Sequence, residues 1–271
     1  MEINMPNQNP TKALVYRLME LGNYAQRFSR VSGDPEERDL AIKEFTNFFE
    51  SIPEQAKNNP KLSNEGVVAG VIFAGIKFAR IGDMKTVPRV AGRVLALLES
   101  NDHKLTDPIR EYFVNAIRQD GEWKRPGLQD ANLVRVNTLR LVRQTILASP
   151  KLANSELTKG TMEAAFLPLY TDKAMVDLVD QYLESGRTSE EIATMCCMAP
   201  NETLFTILAT NRRLVKGALE VVVDMENSVD RIESSKLRPI VSEAVKQTRR
   251  TILDAAKFAR VYPQGLPKDF T

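Results

Sequence analysis

Residues 240–260, IVSEAVKQTRRTILDAAKFAR, decide the fold class. Within them Val241, Val245, Thr248, Ile252, Ala255 and Ala259 recur at intervals of four and three. Side chains at that spacing line one side of an α-helix, whereas a strand would send them to alternating faces. The same helix carries Lys246, Arg249, Arg250, Lys257 and Arg260, so it pairs an apolar stripe with a basic one, and Pro263 stops it.

Working outward, the period returns at Val215, Ala218, Val222, Met225, Val229 and Ile232, and at Leu14, Leu18, Leu21, Ala25 and Phe28. Asp34-Pro35-Glu36-Glu37 supplies a capping side chain, a proline where its missing N–H costs nothing, and two acids at the positive end of a helix dipole. The helix it opens is expected to turn Ala41, Phe45, Phe48 and Ile52 inward and to end at Pro53. Ser63-Asn64-Glu65 opens an apolar helix reaching about Ile81, in which Gly66, Gly70 and Ala74 would admit close approach of another backbone. Its most apolar run, Gly66 to Ile76, is about half of what spans a bilayer, which favours a buried helix.

Pro88 and Pro108 mark the first turns of helices over 87–99 and 107–119. Further helices are predicted over 130–148 and 171–184, the latter closed by Gly186, with a punctuated segment around Pro150, Gly160 and Pro168 between them. Strand signals are nearly absent: Val221-Val222-Val223 lies inside a helical period, and no Asn-Gly or Asp-Gly turn joins two alternating runs. The expectation is an all-α protein of ten to thirteen helices, as two packed bundles or one continuous body. The division predicted is a polar tail at 1–10, a bundle over 11–120, a loop at 121–129 containing Trp123, a second bundle over 130–262, and a tail at 263–271.

At 271 residues, 43% hydrophobic and 27% charged, the composition is that of an ordinary globule with a sizeable core. Lys and Arg number 37 against 35 Asp and Glu, a net +2, so any polyanion site must be local rather than global. Cys196 and Cys197 are adjacent, which rules out a CxxC pair, and with His103 as the one histidine no zinc site of the usual Cys and His type assembles within the chain. In the polar stretch Ser100 to Lys104 a lone catalytic base at His103 is the minor reading. There is no GxGxxG, phosphate-binding GxxxxGK, HExxH or GxSxG motif, so no cofactor is expected and common nucleotide and hydrolase chemistries are disfavoured. The cysteines, in apolar surroundings without a nearby base, read as packing residues.

Arg187-Thr188-Ser189-Glu190-Glu191-Ile192-Ala193, followed by Met198-Ala199-Pro200-Asn201-Glu202-Thr203-Leu204, resembles a helix-turn-helix, with Thr188 and Glu191 forming a capping box. It departs from that pattern at the turn, where Cys197 replaces the usual glycine. Its second helix is too apolar to read bases, so two adjoining core helices are the preferred reading. Two basic stretches remain: Arg135, Arg140, Arg143 and Lys151 within 131–151, and Lys246, Arg249, Arg250, Lys257 and Arg260 within 236–260. Asp172, Asp177, Asp180, Glu184, Glu190 and Glu191 gather elsewhere. Segregated charge of this kind implies an internal docking pair, contact between copies, or a polyanion groove.

The function expected is therefore a non-enzymatic interaction or structural role: an adaptor, a secretion-associated factor, or a viral coat or matrix component that binds a protein partner or itself. A nucleic-acid-binding protein using 131–151 and 236–260 is the alternative, and an acid-based enzyme without histidine or metal the third. The first ten residues lack a basic start and an apolar middle, so a reducing, cytoplasmic location is expected, with specialised export or a virion as alternatives.

Overall fold

The computed structural model describes residues 10–18, 20, 35–59, 64–78, 86–119 and 131–261. Among them the chain forms twelve helices and no strand, an all-α multi-helix bundle. Residues 1–9 of the tail predicted over 1–10, the loop at 121–129 with Trp123, the tail at 263–271, and Leu21, Ala25, Phe28, Asp34 and Ile81 lie outside the described residues, while Pro10 already belongs to the first helix. Two compact units result. One comprises Met1–Phe113 with Arg140–Ala148, the other Val114–Leu139 with Ser149–Thr271.

In the first unit lie α1 (10–18), α2 (Pro35–Asn58), α3 (Asn64–Phe78) and α4 (Thr86–Asn101), with the first part of α5 (Thr106–Arg118) and the last part of α6 (Ala131–Ala148). α2 runs through Pro53 to Asn58 instead of stopping there. A proline inside a helix removes one backbone bond, but Phe45, Phe49 and Ile52 are buried just before it and α2 packs along α4. Phe49, stacked on Phe45 with ring centroids 4.0 Å apart, takes the core position expected of Phe48. Both choices keep a four-and-three spacing, so adjacent phenylalanines leave the register to packing.

α3 is buried along Val67, Val68, Val71, Ile72, Ala74 and Ile76. At Gly70 the close neighbour is side chain rather than backbone: an added Cβ would lie 3.0 Å from Leu18 Cδ1 and 3.2 Å from Val15 Cγ2 on α1, with the nearest backbone atom, Val15 Cα, at 3.8 Å. The tighter crossing is one that spacing did not indicate. At Gly92 on α4 an added Cβ would lie 2.9 Å from both the carbonyl carbon of Gln144 and the backbone nitrogen of Thr145 on α6. Backbone cannot yield as a side-chain tip can, so even alanine is too large there.

The second unit holds the last part of α5 and the first part of α6 with α7 (Ser155–Phe166), α8 (Pro168–Thr171), α9 (Lys173–Glu184), α10 (Ser189–Thr210), α11 (Val215–Val229) and α12 (Leu237–Val261). α7 falls in the segment that reads as punctuated. Asn154 caps it by accepting the Leu157 N–H at 2.8 Å, and Leu157, Thr161, Met162 and Ala165 are buried, so packing carries the helix across Gly160. α7, α10 and α12 pack against one another at the centre of the unit.

α10 replaces the two helices expected over 188–208 with a single helix that passes through Pro200. The capping box at its start is present: Thr188 donates its N–H to Glu191 Oε2 at 2.8 Å, and the Glu191 N–H is donated to Thr188 Oγ1 at 3.2 Å. Ala199, Pro200, Thr203 and Leu204 are buried, and Thr203 donates to the Leu139 carbonyl at 3.0 Å, which holds both halves in line despite the missing N–H. A continuous helix has no turn from which a recognition helix could project. Among the described residues α10 is the one helix long and apolar enough to cross a membrane, with mean hydropathy 1.3, and its burial accounts for that composition.

Candidate interaction surface

The two charged sets separate into a half-buried clamp and an exposed ridge. Asp172 caps α9, one carboxylate oxygen accepting the Ala174 N–H at 3.1 Å and the other lying 3.5 Å from Arg135 Nη2. Arg135 is 12% exposed and Asp172 20%. Arg135 also donates to Asn132 Oδ1 at 2.8 Å and to the Ile117 carbonyl at 3.3 Å. Burial pulls the guanidinium pKa down while Asp172 holds it up, so the pair ties α9 to α6. Arg140 and Arg143 are partly buried on α6, and Lys151 is exposed beyond its end. The first basic stretch thus forms no open basic face.

On α12 the arrangement differs. Val241, Val245, Thr248, Ile252, Ala255 and Ala259 are buried, and Lys246, Arg249, Arg250, Leu253, Asp254, Lys257 and Arg260 are exposed on the other side. Leu253 is 43% exposed among five cations. Arg249 Nη1 donates to both Glu226 oxygens at 2.7 and 2.8 Å, Lys246 and Arg250 lie 3.5 and 4.0 Å from Glu243, and Lys257 lies 3.3 Å from Asp254. Pairs this exposed are weak and open to exchange for other acids.

The acidic set disperses. Asp180 lies 3.8 Å from Lys236, and Glu191 is held below the usual carboxylate range by the backbone N–H and then the hydroxyl of Thr188. Glu190 lends its carbonyl to Gln247 Nε2 at 3.4 Å, and the same Nε2 donates to Thr194 Oγ1 at 2.9 Å. Asp177 and Glu184 are exposed on α9 and make no ion pair among the described residues. Among the described residues, Arg135 with Asp172 is the ion pair that joins the predicted basic and acidic sets. Glu226 and Glu243, which were not singled out in the sequence, serve the α12 cations: Glu243 stands three residues before Lys246 on the same helix and was legible from spacing, whereas Glu226 lies on α11, and that neighbour is a tertiary fact.

Other chemistry-bearing groups are structural. Glu99 is buried and accepts from Thr106 Oγ1 at 2.8 Å, with His103 Nδ1 at 3.1 Å from its carbonyl, closing the corner between α4 and α5. Among the described residues no three His, Cys, Asp or Glu side chains stand close enough to hold a metal. An open cleft of about 590 Å³ between α1 and α2 is lined by Leu14, Arg17, Phe48 and Gln55, with Arg17 stacked 4.9 Å over the Phe48 ring.

Cys197 is buried and donates to the Ala165 carbonyl at 2.9 Å, and burial pushes its thiol pKa up. Burial raises Cys196 from 9.0 to about 11. Only the thiolate reacts, so at pH 8 its labelling by a disulfide reagent is expected to be roughly a hundredfold slower than in denaturant and to rise about tenfold per pH unit. Equal rates in the folded and denatured protein would contradict this. No protein-family model, no curated protein and no solved structure matches the chain.

Proposed function

We propose that this protein is a non-enzymatic helical interaction protein that docks a protein partner on the outward ridge of α12. One observation carries the reading: a 25-residue helix buries one whole side in the core and on the other presents an exposed leucine with Arg249, Arg250 and Lys257 within a helical turn of it. An apolar centre with a charged, solvated rim is the anatomy of a protein interface. The nucleic-acid reading has less support, because Arg135 is committed to a half-buried pair and three acids stand among the α12 cations.

The test has two arms. A photoreactive residue at 253 is expected to give adducts that a protease but not a nuclease removes. Mixed-sequence oligonucleotides are expected to show no micromolar binding at about 150 mM salt. Micromolar binding that charge reversal at Arg249 and Arg250 abolishes, with stability unchanged, would overturn the proposal.

A further inference from the structure

Resting on that reading, we propose that the partner of the α12 ridge is α9 of a second copy of this chain. Exposed Asp177 and Glu184 stand seven residues apart on α9, and exposed Arg250 and Lys257 stand seven apart on α12. Seven residues are close to two turns, so each pair projects to one side with a spacing of roughly 10.5 Å along the axis. Laid antiparallel, the helices pair Arg250 with Glu184 and Lys257 with Asp177 in one register, and the same register sets Leu253 over the exposed Gln181. Its methylene stem covers the leucine while its amide stays wet.

A second copy fits both faces, because within one chain these groups are engaged on their own helix or not at all. Arg250 and Lys257 lie beside acids of their own helix, Glu243 at 4.0 Å and Asp254 at 3.3 Å, while Asp177 and Glu184 make no ion pair among the described residues. Glu156, Asp224, Asp230 and Glu233 are also exposed acids of this unit without an ion pair among the described residues, but Asp177 and Glu184 are the two that stand on one helix at the seven-residue spacing of Arg250 and Lys257. The two ridges are different surfaces, so copies join in a two-fold dimer that makes the contact twice or in a head-to-tail series.

The experiment is light scattering on the full chain at about 50 and about 500 mM salt, where screening separates exposed charge pairs from apolar contacts. The wild type is expected to exceed the 30.4 kDa monomer mass at low salt and to fall to it at high salt. R250E/K257E and D177K/E184K are each expected to be monomeric with unchanged helical circular dichroism. Mixed together they should associate again, because each then carries the face that the other lost. A wild type that stays monomeric at low salt, or association that survives both reversals, overturns the second copy as partner. Association lost in the α12 variant but kept in the α9 variant overturns only the α9 assignment and leaves the α12 reading in place. Oligonucleotide binding lost in R250E/K257E and kept in D177K/E184K overturns both.

Discussion

Replacing Ile72 with aspartate leaves no soluble folded protein. Ile72 is fully buried in α3, with Val68, Val71 and Ile76 buried around it. Removing a buried isoleucine side chain costs about 2–5 kcal/mol, and placing an unpaired carboxylate there adds several more. Together these match the whole stability of an ordinary domain, about 5–15 kcal/mol. Ile72→Val, which removes one methyl group, should cost only about 0.5–1.5 kcal/mol. The soluble fraction after expression and the urea midpoint of the valine variant are the measurements. Soluble Ile72→Asp protein with unchanged helicity, having lost binding to liposomes, would mean that α3 meets lipid rather than a core.

Arg135→Ala should cost about 2 kcal/mol, less than the roughly 3–5 kcal/mol of breaking a fully buried pair from one side, because both partners keep some solvent exposure. The change leaves Asp172 20% exposed without its cation and takes a donor from the Ile117 carbonyl and from Asn132. Arg249→Ala removes a pair with better geometry, both contacts under 3 Å, but on the surface, and should cost about 1 kcal/mol or less. Because burial sets the penalty, Arg135→Ala/Asp172→Asn should recover part of the loss while keeping a capping oxygen on α9. Urea denaturation of the three variants checks this. Equal losses for Arg135→Ala and Arg249→Ala would remove the distinction between a structural clamp and an interaction ridge.

Local chemistry made much of this protein legible in advance. The four-and-three spacing in α12 and α11, the capping box at Thr188 and Glu191, and Pro88 in the first turn of α4 each act within a turn or two. Those residues find their partners whatever the rest of the chain does. The all-α class and the existence of a basic stripe on α12 follow from such signals alone.

Where neighbours from distant sequence compete with local preference, the packing decided. Pro53 and Pro200 read as boundaries but lie inside α2 and α10, since burial just before Pro53 and on both sides of Pro200 outweighs one lost backbone bond. Gly160 read as punctuation and lies in α7, at the centre of a core. Phe49 rather than Phe48 entered the core, and Gly92 met the α6 backbone, because volume and close approach belong to pairs of helices and not to either one. The charged residues divide in the same way. Sequence alone determined that basic and acidic side chains are segregated along the chain. Only the tertiary structure decided that Arg135 is sealed against Asp172 while Arg250 and Lys257 face solvent, because the dielectric around a charge is set by everything folded against it.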